Sequence, residues 1–594
     1  MADEVTYSER TDSVAVKLRL LAAAHAKGDH DLAMSLAESV KDTLSLERQS
    51  DAALPKPQIG TDDFVAVGNL PKPWAKWAEG WAFAKPLTIF ETVGLARQRE
   101  PVEIPVAFRD AQVNDLQREV RVARIGADGS LTEVVSQVHS EAVRGAVRHC
   151  MLVIPADVPM HGNAGYLIFY GNPNAEQPRY KSDLRVTGEG YGLDVANQHY
   201  VANLSKQMGQ LVRLRCTREH GQEYAAGGKG HGEPPTIDWS CDYVDPGHWQ
   251  KLRMRNWAEC PNFEVVRGPL CVRVRRWGFP HSPIHPLYTP SRMHMDQTYV
   301  FYAGQPWFVK EGRFDVIQDM HIEAMRDDEW VFSGYSFTNS VWLDAMGRLH
   351  EGAVPGEHAH NMWGVGFYHR DSRDAFIALR LEHTAKNFEG LSHGGTPTLH
   401  YDGHGQLWAR YPANAADLKT GASFHQKNAY TIAPFAKKNG AREVEQLRHR
   451  LLQPPEVRAD LAKVKTARAT GRLARDGETP ATAPLKPAAW KILREVADDQ
   501  IYKIKSGIVD LGYVYDLRIR DGVAHVLVTM PHRGRPVYQF LVTQGGGRVS
   551  EGIRERLLKL NGIRKVVVDF TWHPEWTTAR LTVKARKEFG WPVR

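Results

Sequence analysis

Cysteine is scarce in this chain, and the few cysteines that occur form no recognisable pattern. The five are Cys150, Cys216, Cys241, Cys260 and Cys271. Their number is odd and no two have the CxxC spacing, so neither a disulfide framework nor a zinc site built from cysteine alone is indicated. This usage fits a reducing cytoplasm.

Long apolar runs and clusters of basic residues are lacking too. The N-terminal stretch MADEVTYSERTDS is acidic and polar, and nowhere do about 18 apolar residues follow one another, so neither secretion nor membrane insertion is indicated. The net charge of +7 is small for 594 residues, and Lys and Arg are scattered except in one linker and along the C-terminal domain. A nucleic-acid surface would gather them on one element. We therefore expect a cytoplasmic protein with neither a membrane nor a nucleic acid as partner.

Helical periodicity is nearly missing from the centre of the chain, which predicts the fold class. At 594 residues the chain exceeds the roughly 250–300 residues over which one hydrophobic core keeps growing, so several domains are expected. Alternating apolar and polar residues dominate between two helical ends. The predicted fold is multidomain and mainly β. Its predicted parts are a helical hairpin at 1–60, a small β-sandwich at 61–185, a large β-supersandwich at 186–440, a charged helix and linker at 441–487, and a small α+β domain at 488–594.

The central region carries a resemblance at the level of the fold. From about Leu193 onwards it opens with HYVANLSKQMGQLVRLRC, an amphipathic strand pair hinged at Met208 and Gly209, and continues in long strands rich in aromatic residues. This pattern resembles the supersandwich of galactose-mutarotase-like proteins and of the C-terminal halves of polysaccharide lyases. The phrase YLIFYGNPNA, from Tyr166 to Ala175, resembles a segment that ends small β-sandwich modules of carbohydrate-active proteins. Function does not follow from such a likeness.

The C-terminal domain carries a more specific resemblance. The motifs IVDLGYVY at 508–515 and WHPEWT at 572–577, with a closing ARKEFG at 585–590, match the domain family that includes the phenylacetate-degradation D protein and the cytosolic iron–sulfur targeting protein. Members that handle metal–sulfur clusters are similar in carrying a cysteine in a Thr-x-x-Cys-Pro-type turn. Here that turn reads TMPHRGRP at 529–536, and residues 488–594 contain no cysteine. Because an iron–sulfur cluster needs thiolate ligands, we do not expect this domain to bind one.

Histidine is concentrated in one stretch, from His281 to His425, which holds thirteen of the 26 histidines. Histidine transfers protons near neutral pH and binds transition metals. On a strand, His358 and His360 would share one face about 6.5–7 Å apart, a spacing that suits one divalent ion such as Zn, Mn or Ni. The alternative is that these are ordinary surface or hydrogen-bonded histidines. The candidate metal ligands are His358, His360, His369 and His383, with Glu357 as a further candidate.

Two loops supply candidate catalytic residues. GGKGHGEPPTIDWSCDY is rich in Gly and Pro and too long for a simple hairpin, and a rigid sandwich can position functional groups on such a loop. HSPIHPLYTPSRMHMDQTY crowds His, Tyr and Arg, the groups that abstract a proton next to a carboxylate and stabilise the resulting anion. The alternative for each residue is a structural hydrogen bond. The candidate catalytic residues are His231, Glu233, Tyr288, Arg292, His294 and Asn361.

These patterns favour a catabolic enzyme, a lyase or hydrolase that acts on a sugar-like or other small oxygenated substrate by His/Tyr acid–base chemistry, with or without a divalent metal. The alternative is an accessory protein for metal or iron–sulfur assembly that works through the C-terminal domain. A binding protein without catalysis is a third interpretation. The N-terminal hairpin and the C-terminal domain are the segments that we expect to form a homo-oligomer or bind a protein partner.

Overall fold

A computed structural model describes most of the chain. The described residues are 7–11, 13–51, 55–206, 209–218, 223–224, 240–244, 251–254, 262–280, 292–332, 337–392, 394–395, 397–401, 405–462, 485–497, 505–520, 522–529, 552–570 and 576–590.

The chain begins with a short strand and a helical hairpin. These elements are β1 (Tyr7–Thr11), α1 (Ser13–Ala26) and α2 (His30–Asp51). Gly28, in the turn between the helices, has φ +76°, a left-handed conformation that glycine adopts without steric cost. The two helices pack against each other, as the Lys-Gly-Asp break in the helical pattern predicts.

A small β-sandwich follows. Its elements are β2 (Val65–Ala66), α3 (Lys72–Trp77), β3 (Phe83–Phe90), β4 (Arg97–Arg109), α4 (Leu116–Glu119), β5 (Arg121–Ile125), β6 (Leu131–Val134), β7 (Gln137–Arg144), β8 (Val147–Val158) and β9 (Asn163–Tyr170). One sheet has the order β2-β3-β9-β5-β6 and the other β4-β8-β7. Their facing side chains, among them Ile104, Leu152 and Ile168, are buried in a shared apolar core.

The largest part of the chain forms a second sandwich. Its strands are β10 (Arg185–Glu189), β11 (Gly192–Ala196), β12 (Tyr200–Leu204), β13 (Leu211–Cys216), β14 (Glu223–Tyr224), β15 (Ser240–Val244), β16 (Lys251–Met254), β17 (Asn262–Arg267), β18 (Cys271–Gly278), β19 (Met293–Tyr302), β20 (Trp307–Val316), β21 (Met320–Arg326), β22 (Asp328–Phe332), β23 (Asn339–Leu343), β24 (Leu349–Glu351), β25 (Gly364–Tyr368), β26 (Ala375–Lys386), β27 (Thr398–Tyr401), β28 (Gly405–Arg410), β29 (Ala413–Leu418) and β30 (Ser423–Thr431).

One sheet of ten strands organises this second sandwich. Its order is β1-β17-β18-β19-β20-β30-β26-β25-β23-β24, and every pairing in it is antiparallel. Three smaller sheets lie against it, with the orders β10-β11-β12-β13-β14, β16-β15-β21-β29 and β22-β28-β27. The sequence analysis did not anticipate β1, which joins the edge of the large sheet by pairing with β17.

The two faces of the ten-stranded sheet have different surroundings. Successive side chains of a strand point to opposite faces, so each strand contributes to both. The inner face packs on the three smaller sheets through two apolar clusters, one around Phe301 and Trp330 and the other around Phe314 and Ile322. The outer face packs against the small sandwich and a following helix, with Val153 of β8 in the same cluster as the outer-face residues.

That helix and a short strand connect the two sandwiches. They are α5 (Gly440–Leu452) and β31 (Glu456–Ala459), and β31 pairs with β3 of the small sandwich. Arg97, whose side chain is fully buried, donates to the backbone carbonyls of Arg450 (3.1 Å) and Gln453 (2.7 Å) at the end of α5 and forms an ion pair with Glu91 (3.3 Å). Carbonyls at a helix end lack partners within the helix, so this cation fixes α5 to the small sandwich. The predicted helix and linker at 441–487 therefore also contain a strand.

The C-terminal domain is α+β. Its elements are α6 (Leu485–Glu495), β32 (Val514–Arg520), β33 (Val523–Val528), α7 (Ile553–Leu558), β34 (Lys565–Phe570) and α8 (Val583–Glu588). Strands β32 and β33 pair antiparallel and β33 and β34 pair parallel. Arg518 on β32 donates to the carbonyl of His161 (3.1 Å) in the small sandwich.

The two motifs of the C-terminal domain meet in space. Trp576 Nε1 donates to the carbonyl of Leu511 (2.8 Å), and Lys584 forms an ion pair with Asp510 (2.8 Å). Gly512 has φ +70°, and a Cβ there would lie 2.6 Å from the carbonyl oxygen of Arg580. The segment that follows the second motif therefore approaches the first motif so closely that position 512 requires glycine.

The predicted fold class, multidomain and mainly β with a helical hairpin, a small sandwich, a large sandwich and a small α+β domain, is confirmed. The domain boundaries stay predictions. None of the helices in the described part of the chain is long and apolar enough to cross a membrane.

Candidate active site

A layer of polar side chains crosses the inner face of the ten-stranded sheet, between the two apolar clusters. One row of it follows five neighbouring strands in register, through Arg276 on β18, Gln297 on β19, Gly312 on β20, Gln426 on β30 and His383 on β26. All five positions are buried. Because Gly312 has no side chain, the row has a gap between the two glutamine amides.

A second polar row lies beside the first. It consists of Tyr299, Lys310, Asn428 and Arg380, again in register on neighbouring strands. All four side chains are buried. Lys310 follows Phe308 by two residues, so the alternation of the strand directs the lysine into the same interior as the phenylalanine.

Two consecutive carboxylates from the facing sheets lie against these rows. Asp327 follows β21 and Asp328 begins β22, and both are fully buried. Asp328 accepts hydrogen bonds from Lys310 Nζ (3.1 Å), from the Tyr430 hydroxyl (2.9 Å) and from Arg380 Nη1. Buried charges are tolerated when they are paired and hydrogen-bonded, and Asp328 is paired on both oxygens.

Asp327 has different partners. Arg410, at the end of β28, holds both of its oxygens, with Nε at 2.7 Å from Oδ1 and Nη2 against Oδ2. The Nε2 atom of His383 lies 3.6 Å from Asp327 Oδ2. This distance is longer than a hydrogen bond but places the imidazole in the field of the carboxylate. We call the two rows together with Asp327, Asp328, Arg410 and Tyr430 the polar layer.

Four nitrogen donors, on two arginines and two glutamines of the polar layer, are buried and have no hydrogen-bond partner within the described structure. They are Arg380 Nη2, Arg410 Nη1, Gln297 Nε2 and Gln426 Nε2. A buried donor without an acceptor costs about 1–3 kcal/mol, so such groups normally meet water or ligand oxygens. Arg410 Nη2 also donates to Gln426 Oε1 (3.0 Å), which brings two of these four residues into contact. Arg380, Arg410 and Gln426 therefore leave donors without acceptors around His383, and Gln297 leaves another across the gap at Gly312.

The protonation states of the layer follow from burial and charge. Burial and the nearby Arg380 lower the pKa of His383 to about 3, so its imidazole is neutral at neutral pH. Burial raises the pKa of Asp328, but Arg380 and Lys310 outweigh it and hold the pKa below its usual value. Burial lowers the pKa of Arg410 to about 9. At neutral pH the layer thus combines the neutral imidazole of His383, the charged carboxylate of Asp328 and the charged guanidinium of Arg410.

This combination can move a proton. A neutral imidazole accepts a proton, and a carboxylate close to it stabilises the imidazolium that forms. Guanidinium and amide donors stabilise negative charge that develops on a substrate oxygen. Asp328 is held by three donors, so it positions Lys310 and Arg380, whereas Asp327 is the carboxylate that faces the imidazole of His383.

The structure separates the candidate catalytic residues of the sequence analysis. His231, Glu233 and Tyr288 lie outside the described residues. Arg292 donates to the carbonyl of Asp319 (2.9 Å), and the exposed Asn361 accepts from Trp363 Nε1 (3.0 Å). Both contacts are structural hydrogen bonds.

His294, the remaining candidate, is on β19 and points away from the polar layer. Its neighbours Met293 and Met295 belong to the inner-face cluster, so alternation directs His294 to the outer face. There it is 6% exposed, and its ring meets the ring of Phe279 edge-on at 5.4 Å. It is therefore not part of this site.

The expectation that His358 and His360 share the face of a strand is wrong. Residues Gly356–His358 form a 3-10 helix that follows Pro355, and Ala359 continues it in the right-handed helical region, so the two imidazoles do not project in the strand geometry. The ring of His358 packs near Trp342 at 5.2 Å, and His360 is exposed. A turn rather than a strand thus holds the pair.

The other two candidate ligands have separate environments. His369 Nδ1 accepts from the backbone N–H groups of Asp371 (3.3 Å) and Ser372 (3.2 Å), which closes a turn, and His383 belongs to the polar layer. Among the residues that the structure describes, no three His, Cys, Asp or Glu side chains are placed to hold a metal ion. A divalent-metal site stays a prediction.

Most of the polar layer is not among the residues predicted from the sequence, although the sequence contains a signal for it. In Phe424-x-Gln426-x-Asn428-x-Tyr430 every second residue of the strand faces inward, and two of these four inward residues are polar. Polar residues at the inward positions of an otherwise apolar alternation mark a buried polar site. Only the register of β30 with its neighbours shows that Gln426 and Asn428 meet Lys310, Arg380 and His383.

Comparison with known proteins finds similarity to a part of the chain. No family model matches. An Fe-S protein maturation auxiliary factor of Porphyromonas gingivalis is 27% identical over 101 residues, which are 17% of this chain and 86% of that protein. A domain of unknown function from Bacillus anthracis is 23% identical and covers 18% of this chain and 92% of its own, with a TM-score of 0.15. The resemblance to the iron–sulfur-assembly domain family is confirmed over this small region.

Solved structures similar to larger parts of the chain are distant. An alpha-mannosidase from Enterococcus faecalis superposes on 73% of this chain with 11% identity and a TM-score of 0.39, and the aligned part spans about half of the mannosidase, 49%. A galactose 1-epimerase from Lactobacillus acidophilus superposes on 43% of this chain and 98% of its own, with 8% identity and a TM-score of 0.25.

Proposed function

We propose that the large sandwich is an enzyme domain that removes a proton next to a carboxylate of a small, oxygen-rich substrate, and so catalyses a lyase reaction on a sugar acid. The observation that supports the proposal is the placement of the unsatisfied donors of Arg380, Arg410 and Gln426 next to the Asp327–His383 pair. Donors without acceptors suit a ligand rich in oxygen. The imidazole of His383 is unprotonated at neutral pH, and the negative charge of a bound carboxylate would raise its low pKa towards the range of a general base.

Each group has a role in such a reaction. Arg380, Arg410 and the glutamine amides would bind the substrate carboxylate and stabilise the enolate-like anion. His383 would take the proton, and Asp327 would stabilise the resulting imidazolium. The electron pair of the broken C–H bond forms a double bond, and the group on the neighbouring carbon leaves with its bonding pair. His383 then returns its proton to the leaving group or to solvent.

Substitution of His383 tests the proposal. With uronate oligosaccharides as substrates, wild-type protein is expected to form a product with a new conjugated double bond, followed by its ultraviolet absorbance. His383→Asn is expected to lower kcat by about 10²-fold or more, the usual contribution of a general base. His425→Asn is the matched control, because His425 is on the neighbouring strand and pairs with Glu311 (3.2 Å) and Glu382 (3.3 Å) rather than with the polar layer.

Two results would contradict the proposal. One is a His383→Asn protein that keeps the activity of wild type. The other is wild-type protein that hydrolyses aryl glycosides without forming an unsaturated product, which would assign a hydrolase instead. Failure of every uronate and glycoside substrate would remove the sugar-acid assignment.

A second candidate function rests on the C-terminal domain. Its support is the 27% identity to the maturation auxiliary factor. If the chain assists iron–sulfur assembly, adding it should speed cluster formation in an apo iron–sulfur protein, and a chain that lacks residues 485–594 should not. Because residues 488–594 contain no cysteine, the domain would act by docking and should itself hold no iron or acid-labile sulfide. Equal rates with and without this domain would exclude the role.

A further inference from the structure

A cavity of about 240 Å³ lies between α5 and the outer face of the ten-stranded sheet, on the side opposite the polar layer. At about 30 Å³ per water, it has room for roughly eight water molecules, or for a small organic molecule. Its lining is Gln305, Pro306, Trp307, Thr431, Ala433, Pro434, Phe435, Gly440, Glu443, Val444, Leu447 and Arg450.

The walls of the cavity are mostly apolar. Trp307 and Phe435 are 5% and 3% exposed and are fixed by neighbouring rings, Trp307 by Tyr302 (5.0 Å) and Phe435 by Tyr368 (4.7 Å). Preformed pockets of this kind, apolar with few polar groups, are typical of small-molecule sites. The rigid rings keep the cavity open without a ligand.

Two charged side chains line the cavity, the exposed Glu443 at its rim and Arg450, whose guanidinium faces the interior. The guanidinium of Arg450 makes no hydrogen bond and no ion pair with any residue in the described ranges, and its Nε is buried. The carboxylate whose charge acts on Arg450 is that of Glu100, and it already pairs with Arg97 (2.6 Å). Glu91 likewise accepts from Arg97 and from the backbone N–H groups of Val93 and Gly94. A guanidinium in this situation suits an anion, and its planar fork matches a carboxylate.

We propose that this cavity binds a small monocarboxylate with an apolar body about the size of one ring. The carboxylate would pair with Arg450, and the body would lie against Trp307, Phe435 and Leu447. The site is independent of the proposed lyase reaction, because it lies on the other face of the sheet and shares no residue with the polar layer. Since α5 joins the two sandwiches through Arg97, a ligand here also stabilises their junction.

Calorimetric titration with benzoate, and with benzamide as the neutral analogue, tests this proposal on the full-length protein. Wild type is expected to bind benzoate at a single site and benzamide more weakly. Arg450→Gln should weaken benzoate about tenfold or more and leave benzamide unchanged, because it removes only a charge-assisted hydrogen bond. Ala433→Leu, which extends a lining side chain into the cavity, should weaken both ligands. Arg442→Gln, an exposed position on the same helix, should change neither.

The proposal is overturned if wild type binds no benzoate, or if Arg450→Gln binds benzoate as well as wild type does. Circular dichroism of each variant establishes that it is folded, and Arg450→Lys keeps the charge if the glutamine variant does not fold. Arg450→Gln is expected to lose benzoate binding and to turn over a uronate at the rate of wild type. This result would support the cavity site and would neither support nor contradict the lyase proposal.

Discussion

At pH 5 the protein is expected to be about 6 kcal/mol less stable than at pH 7, because three buried histidines stay neutral in the folded state. Burial lowers the pKa of His139 and of His294 to about 4 and that of His383 to about 3, against 6.5 for an exposed histidine. The unfolded chain therefore binds protons below pH 6.5 that the folded protein does not bind. Each histidine favours unfolding by about 1.4 kcal/mol per pH unit between its two pKa values, or about 2 kcal/mol at pH 5.

Urea denaturation at a series of pH values measures this effect. Between pH 6 and pH 5, these three histidines should contribute an uptake of between about two and three protons on unfolding, and His294→Asn should reduce this uptake by about one. His425 acts in the opposite direction, since its hydrogen bond to Glu311 raises its pKa and favours the folded state at low pH. Stability that stays constant or rises as the pH falls from 7 to 5 would show that these histidines are not buried neutral.

Asp328→Asn is expected to destabilise the protein by about 3–5 kcal/mol. The substitution keeps the shape of the side chain but leaves Lys310 and Arg380 as buried charges without their carboxylate, and breaking a buried pair in this way costs about that much. It should also abolish the proposed lyase reaction, because Lys310 and Arg380 lose their positions. The free energy of unfolding from urea denaturation gives the first effect, and product formation with a uronate substrate gives the second.

Asp319→Asn provides the matched control. Asp319 pairs with Lys419 at 2.9 Å on the surface, where both side chains are more than half exposed, and its Oδ1 accepts from Thr420. Asparagine keeps an oxygen for Thr420, so the substitution should change stability little. An Asp328→Asn protein as stable as Asp319→Asn would mean that the polar layer is open to solvent. Because Asp328 has a lowered pKa, its contribution is present above the unfolded pKa and is lost as the pH falls through the folded pKa.

The sequence predicted the architecture because local patterns determine it. The alternation in WFVKEGRFDV and in SFHQKNAYT is sufficient to identify β20 and β30, and the helical spacing around Gly28 identifies the N-terminal hairpin. Short additions such as β1 and β31 were missed, because a strand of four or five residues owes its formation to the sheet edge it pairs with rather than to its own pattern.

The candidate site could be predicted only in part. The sequence identified His383 as a candidate metal ligand together with His358. The structure places His358 in a 3-10 helix outside the polar layer to which His383 belongs. Residue type cannot show which side chains surround a histidine. The neighbours of His383 are far from it in the chain, since Gln426 follows it by 43 residues and Asp327 precedes it by 56.

The sequence by itself determined a mainly β, multidomain protein with an iron–sulfur-assembly-like C-terminal domain that lacks cysteine. Only the tertiary structure decided that Gln297, Gly312, Gln426 and His383 form one row and that Asp327 lies against it. The physical reason is that alternation fixes the face of a side chain, whereas strand order and register fix its neighbours, and both depend on contacts between residues far apart in the chain.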